Sequence, residues 1–219
     1  MTPDLPDLLV IDTATEACSV ALFDGAHLLA SDHAVMGRGH AERLVPMIAG
    51  LPGRGRAQAI LVNCGPGSFT GVRVGLAAAR ALALAWSVPV SGYSTLRLIA
   101  AMALDQTPGA AGVDVVMTGG HGEYFTQSFD GMGEPVAALE SLTPDAALAA
   151  CAQALVAGSM AEALVAARGG SEGGGGEALA LLPDARKALL LPASARALPA
   201  DPLYGRGADA KPMAAAAST

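Results

Sequence analysis

Residues 72–86, VRVGLAAARALALAW, carry only two charges, Arg73 and Arg80. In a helix those two arginines, seven residues apart, share one face, and the rest of the circumference is aliphatic. Such a helix needs cover on more than one side, from the chain's own core or from another protein. Extended to Val90, the stretch is interrupted by Arg73, Arg80 and Pro89, so it falls short of the ~18 uninterrupted apolar residues of a membrane span. The whole chain repeats the theme. It is 52% hydrophobic and 15% charged over 219 residues, against about 25% charged in an ordinary soluble domain. Alanine supplies part of that excess and buries little. The length allows one large domain or two small ones, with no need of disulfides or metal to hold a core.

Charge and cysteine usage exclude several classes. The formal charge is −7 and the sequence pI is near 4.9, so the chain lacks the clustered Lys and Arg that displace counterions from nucleic acid or anionic lipid. A role beside RNA would have to run through a more basic partner. Cys18, Cys64 and Cys151 are far apart, odd in number and without a C-x-x-C pairing, and so read as small buried apolar residues in a reducing compartment. The start, MTPDLPD, has acids where a secretion signal has positive charge. These features together predict a cytoplasmic protein with no membrane association.

Hydrophobic patterning predicts short strands at residues 8–12, 17–23 and 27–31, with Asp24-Gly25 as a tight hairpin turn. Helical spacing follows, with His40, Leu44, Met47 and Leu51 on one stripe and Ala41, Val45 and Ile48 beside it; Pro46 falls inside and is expected to kink the helix. Residues 59–63 read as a buried strand, residues 64–71 as a turn-rich loop, 72–86 as the apolar helix and 88–91 as another strand. Ser94 and Thr95 are candidate caps for a helix over 96–104. A loop at 105–112 divides the chain into lobes at 1–104 and 105–206. In the second, residues 113–117 and 123–128 suit a strand pair joined by a glycine-rich turn, and 143–157 an alanine-rich helix capped by Thr143 with Pro144 in its first turn. Residues 169–176 form a flexible glycine-rich insert, and 207–219 a frayed tail.

Three motifs bear on chemistry. Asp12, Thr13 and Thr15 end the first strand, with Ser19 on the second; a carboxylate and hydroxyls there can hold a phosphate or a magnesium-bound water, or can simply close the turn through side chain–backbone bonds. Gly65, Gly67, Ser68 and Thr70 lie in a loop running into a helix, where backbone donors attract anions. The Lys-Ser/Thr ending of a P-loop and the G-x-G-x-x-G spacing are both absent, so a structural turn is an equal reading. His40 has Leu44, not a second histidine, four residues on, and the other histidines are scattered, so no metal site and no catalytic constellation is expected.

Three segments taken together, IDTATEACSVAL at 11–22, HAERLVPMI at 40–48 and GPGSFTGVRVG at 65–75 with Ser94-Thr-Leu96 downstream, resemble the bacterial TsaB (YeaZ) family of threonylcarbamoyladenosine biosynthesis proteins. Pro202, Leu203, Tyr204 and Arg206 are similar to that family's C-terminal motif. The resemblance covers about the first 100 residues strongly. It implies an α/β fold of the actin-like ATPase type (ASKHA, ribonuclease H-like) with two βββαβα-type lobes, in keeping with the order of elements above. It also implies a non-catalytic scaffold needed to form N6-threonylcarbamoyladenosine at position 37 of ANN-decoding tRNAs. The implied partners are a catalytic TsaD-type subunit, a TsaE-type ATPase and, through them, tRNA, with ATP or ADP and metal held in the complex rather than by this subunit alone. A homodimer of the isolated chain is left open.

In that family the partners meet through the first two helices, which would make His40, Leu44, Val45, Met47, Ile48, Val72, Val74, Leu76 and Ala79 the candidate partner-binding residues. The chain departs from the pattern in three places. Leu44 stands where the catalytic paralogue has the second histidine of a metal pair, the linker from Leu51 to Ala59 is short, and Thr118-Gly-Gly120 replaces an Asp-Ala-Arg triplet near Glu123 and Tyr124. Two other functions are weighed beside the scaffold: an ATP-binding phosphotransferase or ATPase using Asp12 and residues 65–71, and a glycopeptidase, for which no metal pair or nucleophile–base pair is evident.

Overall fold

The computed structural model describes residues 8–169 and 174–203. Strands β1 (Leu8–Asp12), β2 (Ala17–Asp24) and β3 (His27–Val35) form an antiparallel meander, and the two-residue turn at Gly25-Ala26 pairs Asp24 with His27. Gly25 has φ 56°, the left-handed backbone that makes an Asp-Gly turn match strand twist. Helix α1 (His40–Gly50) leads to β4 (Ala59–Asn63), then α2 (Phe69–Trp86), β5 (Val90–Tyr93) and α3 (Thr95–Gln106). β4 and β5 run parallel to β1, giving the sheet order β3-β2-β1-β4-β5.

The second lobe repeats this scheme. Strands β6 (Gly112–Thr118), β7 (Tyr124–Asp130) and β8 (Glu140–Leu142) are antiparallel; α4 (Pro144–Ala150), β9 (Leu155–Ala157), α5 (Ala161–Ala167) and β10 (Glu177–Leu179) follow, with β9 parallel to β6 and β10 parallel to β9. The order β8-β7-β6-β9-β10 matches the first sheet strand for strand. The expected pair of βββαβα lobes is therefore present.

One face of the first sheet is covered by α1 and α2, where Leu9, Ile11 and Val20 meet Leu44, Met47, Ile48, Val72, Leu76 and Ala79. Fully burying a Leu or Ile in such a layer stabilises by about 1.5–3 kcal/mol. Helix α3 lies between the lobes, sending Leu98 and Met102 to the first sheet and Leu96, Ile99 and Ala103 to the second. The second sheet's outer face is covered by Ala147, Ala161, Leu164 and Val165 of α4 and α5. From Asp184 the chain returns to the first lobe, where Ala185, Ala188, Leu191 and Ala195 close over Val10, Phe23, Leu61 and Tyr93.

Several element boundaries differ from expectation. Strand β3 extends to Val35 because Ala17, Cys18 and Ser19 pair with Val35, Ala34 and His33. Helix α2 begins three residues early, since Ser68 caps it by accepting the Gly71 N–H at 3.2 Å. With Pro89 left outside, its 18 residues are long and apolar enough to cross a membrane by length and composition, although a third of them are buried inside the protein. Helix α1 runs on through Pro46 as one element. Ser94 does precede α3, but its side chain makes no capping bond, and the Thr95 hydroxyl donates to Asn63 at 2.8 Å. The alanine-rich helix stops at Ala150, and after a short connection at 151–154 the chain enters strand β9 at Leu155; its Thr143 cap and Pro144 start are as expected. Residues 170–173 of the insert, Tyr204, Arg206 and the tail 207–219 lie outside the described residues.

Candidate functional site

The C-terminal ends of β1 and β4 sit side by side, which brings Asp12–Thr15 and Gly65–Thr70 together as the motifs suggest. They meet without a gap. The Ser68 amide donates to the Ala14 carbonyl at 2.7 Å, and the Thr13 hydroxyl to the Gly71 carbonyl at 2.7 Å. A Cβ on Gly67 would stand 2.0 Å from the Ala14 carbonyl oxygen, one on Gly71 2.1 Å from that of Thr13, and one on Gly75 2.4 Å from the Thr13 hydroxyl. These glycines allow close contact between the two loops, while Ala14, Thr15, Gly67 and Ser68 also line the cleft between the lobes.

Asp12 is sealed below this contact. Its carboxylate accepts hydrogen bonds from Asn63 Nδ2 at 2.7 Å, Tyr93 Oη at 2.6 Å and the Ala14 amide at 3.2 Å. Burial pushes its pKa up to about 6 against the lowering effect of those donors, and the charge of Asp184 adds to the rise. Burial, then the Asp12 charge, lifts the Tyr93 hydroxyl well above its ordinary range. Thr15 accepts the Ala17 amide at 3.2 Å, and Ser19 accepts the Ala185 amide at 3.0 Å. A nucleotide's magnesium would find Asp12 buried with both carboxylate oxygens engaged. Asp12 itself therefore does not fit the role of a metal ligand, whereas Thr15, Gly67 and Ser68 reach the cleft. Asn63 and Tyr93 went unnoticed in the sequence because the partners lie 51 and 81 positions from Asp12.

Above the closed loops a cleft of about 760 Å³ separates the lobes, walled by Pro66, Phe69, Val72, Met117, Phe125 and Leu203. Its polar rim includes Glu16, Arg73, Thr118, His121 and Ser159. Thr118 ends β6 as Asp12 ends β1, and Ser159 follows β9 as Ser68 follows β4, so the cleft lies where the repeated strand ends face each other. The Thr118-Gly-Gly120 departure is here a tight turn: the Thr118 amide and hydroxyl meet Ser159 at 3.0 and 3.2 Å, and the Gly119 amide donates to the Glu123 carbonyl. Among the described residues, no three His, Cys, Asp or Glu side chains converge as metal ligands.

The candidate partner-binding residues divide sharply. His40, Leu44, Met47, Ile48, Val72, Leu76 and Ala79 are buried in the lobe's own core. The His40 ring holds the start of α1 to β2 through a 3.3 Å contact with the Ala17 carbonyl. These seven cannot present a contact surface, and Leu44→Arg would break the lobe rather than an interface. Val45 is 61% exposed and Val74 half-buried. The apolar surface of α2 lies on the opposite stripe, where Val74, Ala77, Ala81, Leu84 and Ala85 share a face and Leu84 is 84% exposed. Ala41, Val45 and Ala49 form an exposed stripe on α1, which packs beside α2. An all-round apolar helix gave the sequence reading no way to choose between the two stripes.

The three thiols are buried and free, and burial raises Cys18 and Cys64 to about 11 and Cys151 to about 12. In the second lobe, fully buried Asp114 accepts from Ser128 Oγ at 2.5 Å and the Gln153 amide at 2.7 Å. It pairs with Arg168 at 3.3 Å, and Arg168 also donates to the Cys151 and Gln153 carbonyls. No sequence motif announces this pair.

Residues 34–169 match the family model described as TsaD, tRNA N6-adenosine threonylcarbamoyltransferase. The tRNA threonylcarbamoyladenosine biosynthesis protein TsaB of Escherichia coli is 41% identical over 98 residues, 42% of this chain and 42% of that protein. Its Haemophilus influenzae namesake is 40% identical over 107 residues, 45% and 43% of the two chains. The matched region thus spans less than half the length of these curated relatives. Two Pseudomonas aeruginosa structures are 30% identical. One is an uncharacterized protein with similarity to peptidase YEAZ, covering 92% of this chain and 100% of that chain with TM-score 0.72; the other is YeaZ, covering 91% and 100% with TM-score 0.70.

Proposed function

The chain belongs to the TsaB/YeaZ family, of actin-like, ribonuclease H-like fold, and on that premise we propose that it acts in tRNA threonylcarbamoyladenosine formation as a scaffold subunit without catalysis of its own. Its partner is a TsaD-type catalytic subunit, and a TsaE-type ATPase joins the assembly. The tRNA is engaged through those partners, consistent with a formal charge of −7. The setting is cytoplasmic.

The observation that carries this reading is the exposed face of α1 and α2. Ala41, Val45 and Ala49 lie beside Val74, Ala77, Ala81, Leu84 and Ala85, an apolar surface of mostly small side chains that another helix pair can approach closely. Leu44 supports it from inside: at 1% exposure it fills the core, where a second histidine would be needed for a metal pair on this helix. Nucleotide and metal, on this reading, belong to the complex and are held by its other subunits.

Ala81→Glu and Leu84→Asp test the face without touching the core. Each would place an unpaired charge in an apolar contact, at about 2–4 kcal/mol or a 30- to 1,000-fold loss of affinity. Neither variant should co-elute with the TsaD-type subunit, and each should fail to restore threonylcarbamoyladenosine in tRNA of a depleted strain. Unchanged co-elution of both would overturn the docking face. The alternative, an ATP-binding phosphotransferase, requires Asp12 to face solvent and metal; calorimetry showing Mg-ATP binding to the isolated chain that is lost in Asp12→Ala would favour it.

A further inference from the structure

Residues 198–203 lie as a strap across the end of the first sheet, and their fastenings are mostly polar. Leu198 and Gly92 exchange both backbone hydrogen bonds, at 2.7 and 3.1 Å, along the edge of β5. The Cys64 thiol lies 3.6 Å from the Pro199 carbonyl, and the Leu203 amide donates to the Cys64 carbonyl at 2.7 Å. Arg80 of α2 donates to the Ala200 carbonyl at 2.6 Å and pairs with the Asp201 carboxylate. None of residues 196–203 is buried, whereas Ala195 before them is 2% exposed and the groups they cover, Cys64, Gly65, Gly92 and Tyr93, are buried. The strap nevertheless sits close: a Cβ on Gly92 would stand 2.2 Å from the Cys64 sulfur and 3.0 Å from the Pro199 carbonyl oxygen. At its far end Pro202 and Leu203 form part of the wall of the inter-lobe cleft.

We propose that residues 198–203 open and close as a unit while the lobe beneath stays folded, with Arg80 as the catch, and that this movement regulates access to the inter-lobe cleft. A segment with little buried apolar surface and solvent-exposed hydrogen bonds opens at a free energy below that of global unfolding. The Arg80 and Asp201 side chains are 52% and 71% exposed, so the catch is weak and sensitive to salt. Ala195, seated in the core, anchors the near end. Pro199 and Pro202 restrict the released backbone, which lowers the entropy lost each time the strap reseats. Opening withdraws Pro202 and Leu203 from the cleft wall, frees the edge of β5 and uncovers the Cys64 thiol. The device does not depend on the docking face of α1 and α2.

Alkylation of the full chain with iodoacetamide, mapped by mass spectrometry, tests it, because Cys64 lies under the strap while Cys18 on β2 and Cys151 after α4 do not. Arg80→Met, which loses the ion pair and the Ala200 bond, should speed Cys64 modification about 10-fold, and Asp201→Asn about 3-fold, with Cys18 and Cys151 unchanged. Salt at ~1 M should speed Cys64 modification in the parent and in neither variant. In Arg80→Met the Gly92, Leu198 and Leu203 amides should lose protection from hydrogen exchange together. Equal acceleration of all three thiols would mean that the whole lobe loosens, and an unchanged Cys64 in both variants would mean that the strap opens only with the lobe; either overturns the proposal, as would unrelated exchange of the three amides.

Discussion

Asp12 couples the stability of the first lobe to pH in a direction opposite to most carboxylates. Its pKa rises from 3.8 to about 6 on folding, chiefly through burial. The folded state therefore holds a proton that the unfolded chain has released across the window between those values, and stability falls as pH rises through it. The contribution is fully present below pH 3.8 and lost above about 6, and two pH units correspond to about 3 kcal/mol. Asp12→Asn removes the titration while keeping the shape, so the variant should gain about 3 kcal/mol relative to the parent between pH ~4 and ~7. Comparing the pair by urea unfolding at several pH values cancels the titration of every other carboxylate. Tyr93→Phe should act oppositely. It deletes a donor to the ionised form, so its cost should be larger at pH ~7 than at pH ~4, about 1.5–3 kcal/mol at the high end. A stability difference between Asp12→Asn and the parent that stays constant across the range would refute the claim that burial governs this group.

Gly71→Ala should destabilise by about 3 kcal/mol or more, because the new methyl meets a backbone carbonyl that cannot yield. Gly50→Ala, at an open position at the end of α1, should stabilise by about 0.5–1 kcal/mol, and thermal melts of the two should move in opposite directions. Arg168→Met, which strands the buried Asp114 charge, should cost about 3–5 kcal/mol, and adding Asp114→Asn should recover part of it; additive losses in the double variant would count against coupling. All three thiols should resist alkylation at neutral pH until denaturant is added, and rapid modification of the folded chain would contradict their raised pKa values.

The architecture was largely readable from local signals. The Asp24-Gly25 turn set the first hairpin and Thr143-Pro144 the start of α4, while the pair of like lobes was implied by the family resemblance, with which the strand and helix order of the first lobe agreed. What escaped was decided over distance. Residues 151–157 carry an alanine-rich helical composition, yet the second sheet needed a strand between β6 and β10, and tertiary pairing took Leu155–Ala157 for it. Gly67 and Gly71, which suggested an anion loop, also give close approach to the Ala14 and Thr13 carbonyls, a contact across more than fifty residues that no local pattern announces. The helices α1 and α2 were legible as elements. Which of their side chains stay exposed was not, because burial by the sheet consumed the very positions that periodicity had picked out.

The matching strand orders of the two sheets have a consequence for assembly. A duplicated lobe with two equal docking faces would let each molecule recruit a neighbour at both ends, and heterologous contacts of that kind run on into filaments unless a rotation closes them. The repeat here is unequal: α1 and α2 have 11 and 18 residues, whereas their counterparts α4 and α5 have seven each. Two turns of helix offer far less surface than α1 and α2, so on the proposed docking reading the second lobe would lack an equal face and would not extend such a chain of contacts.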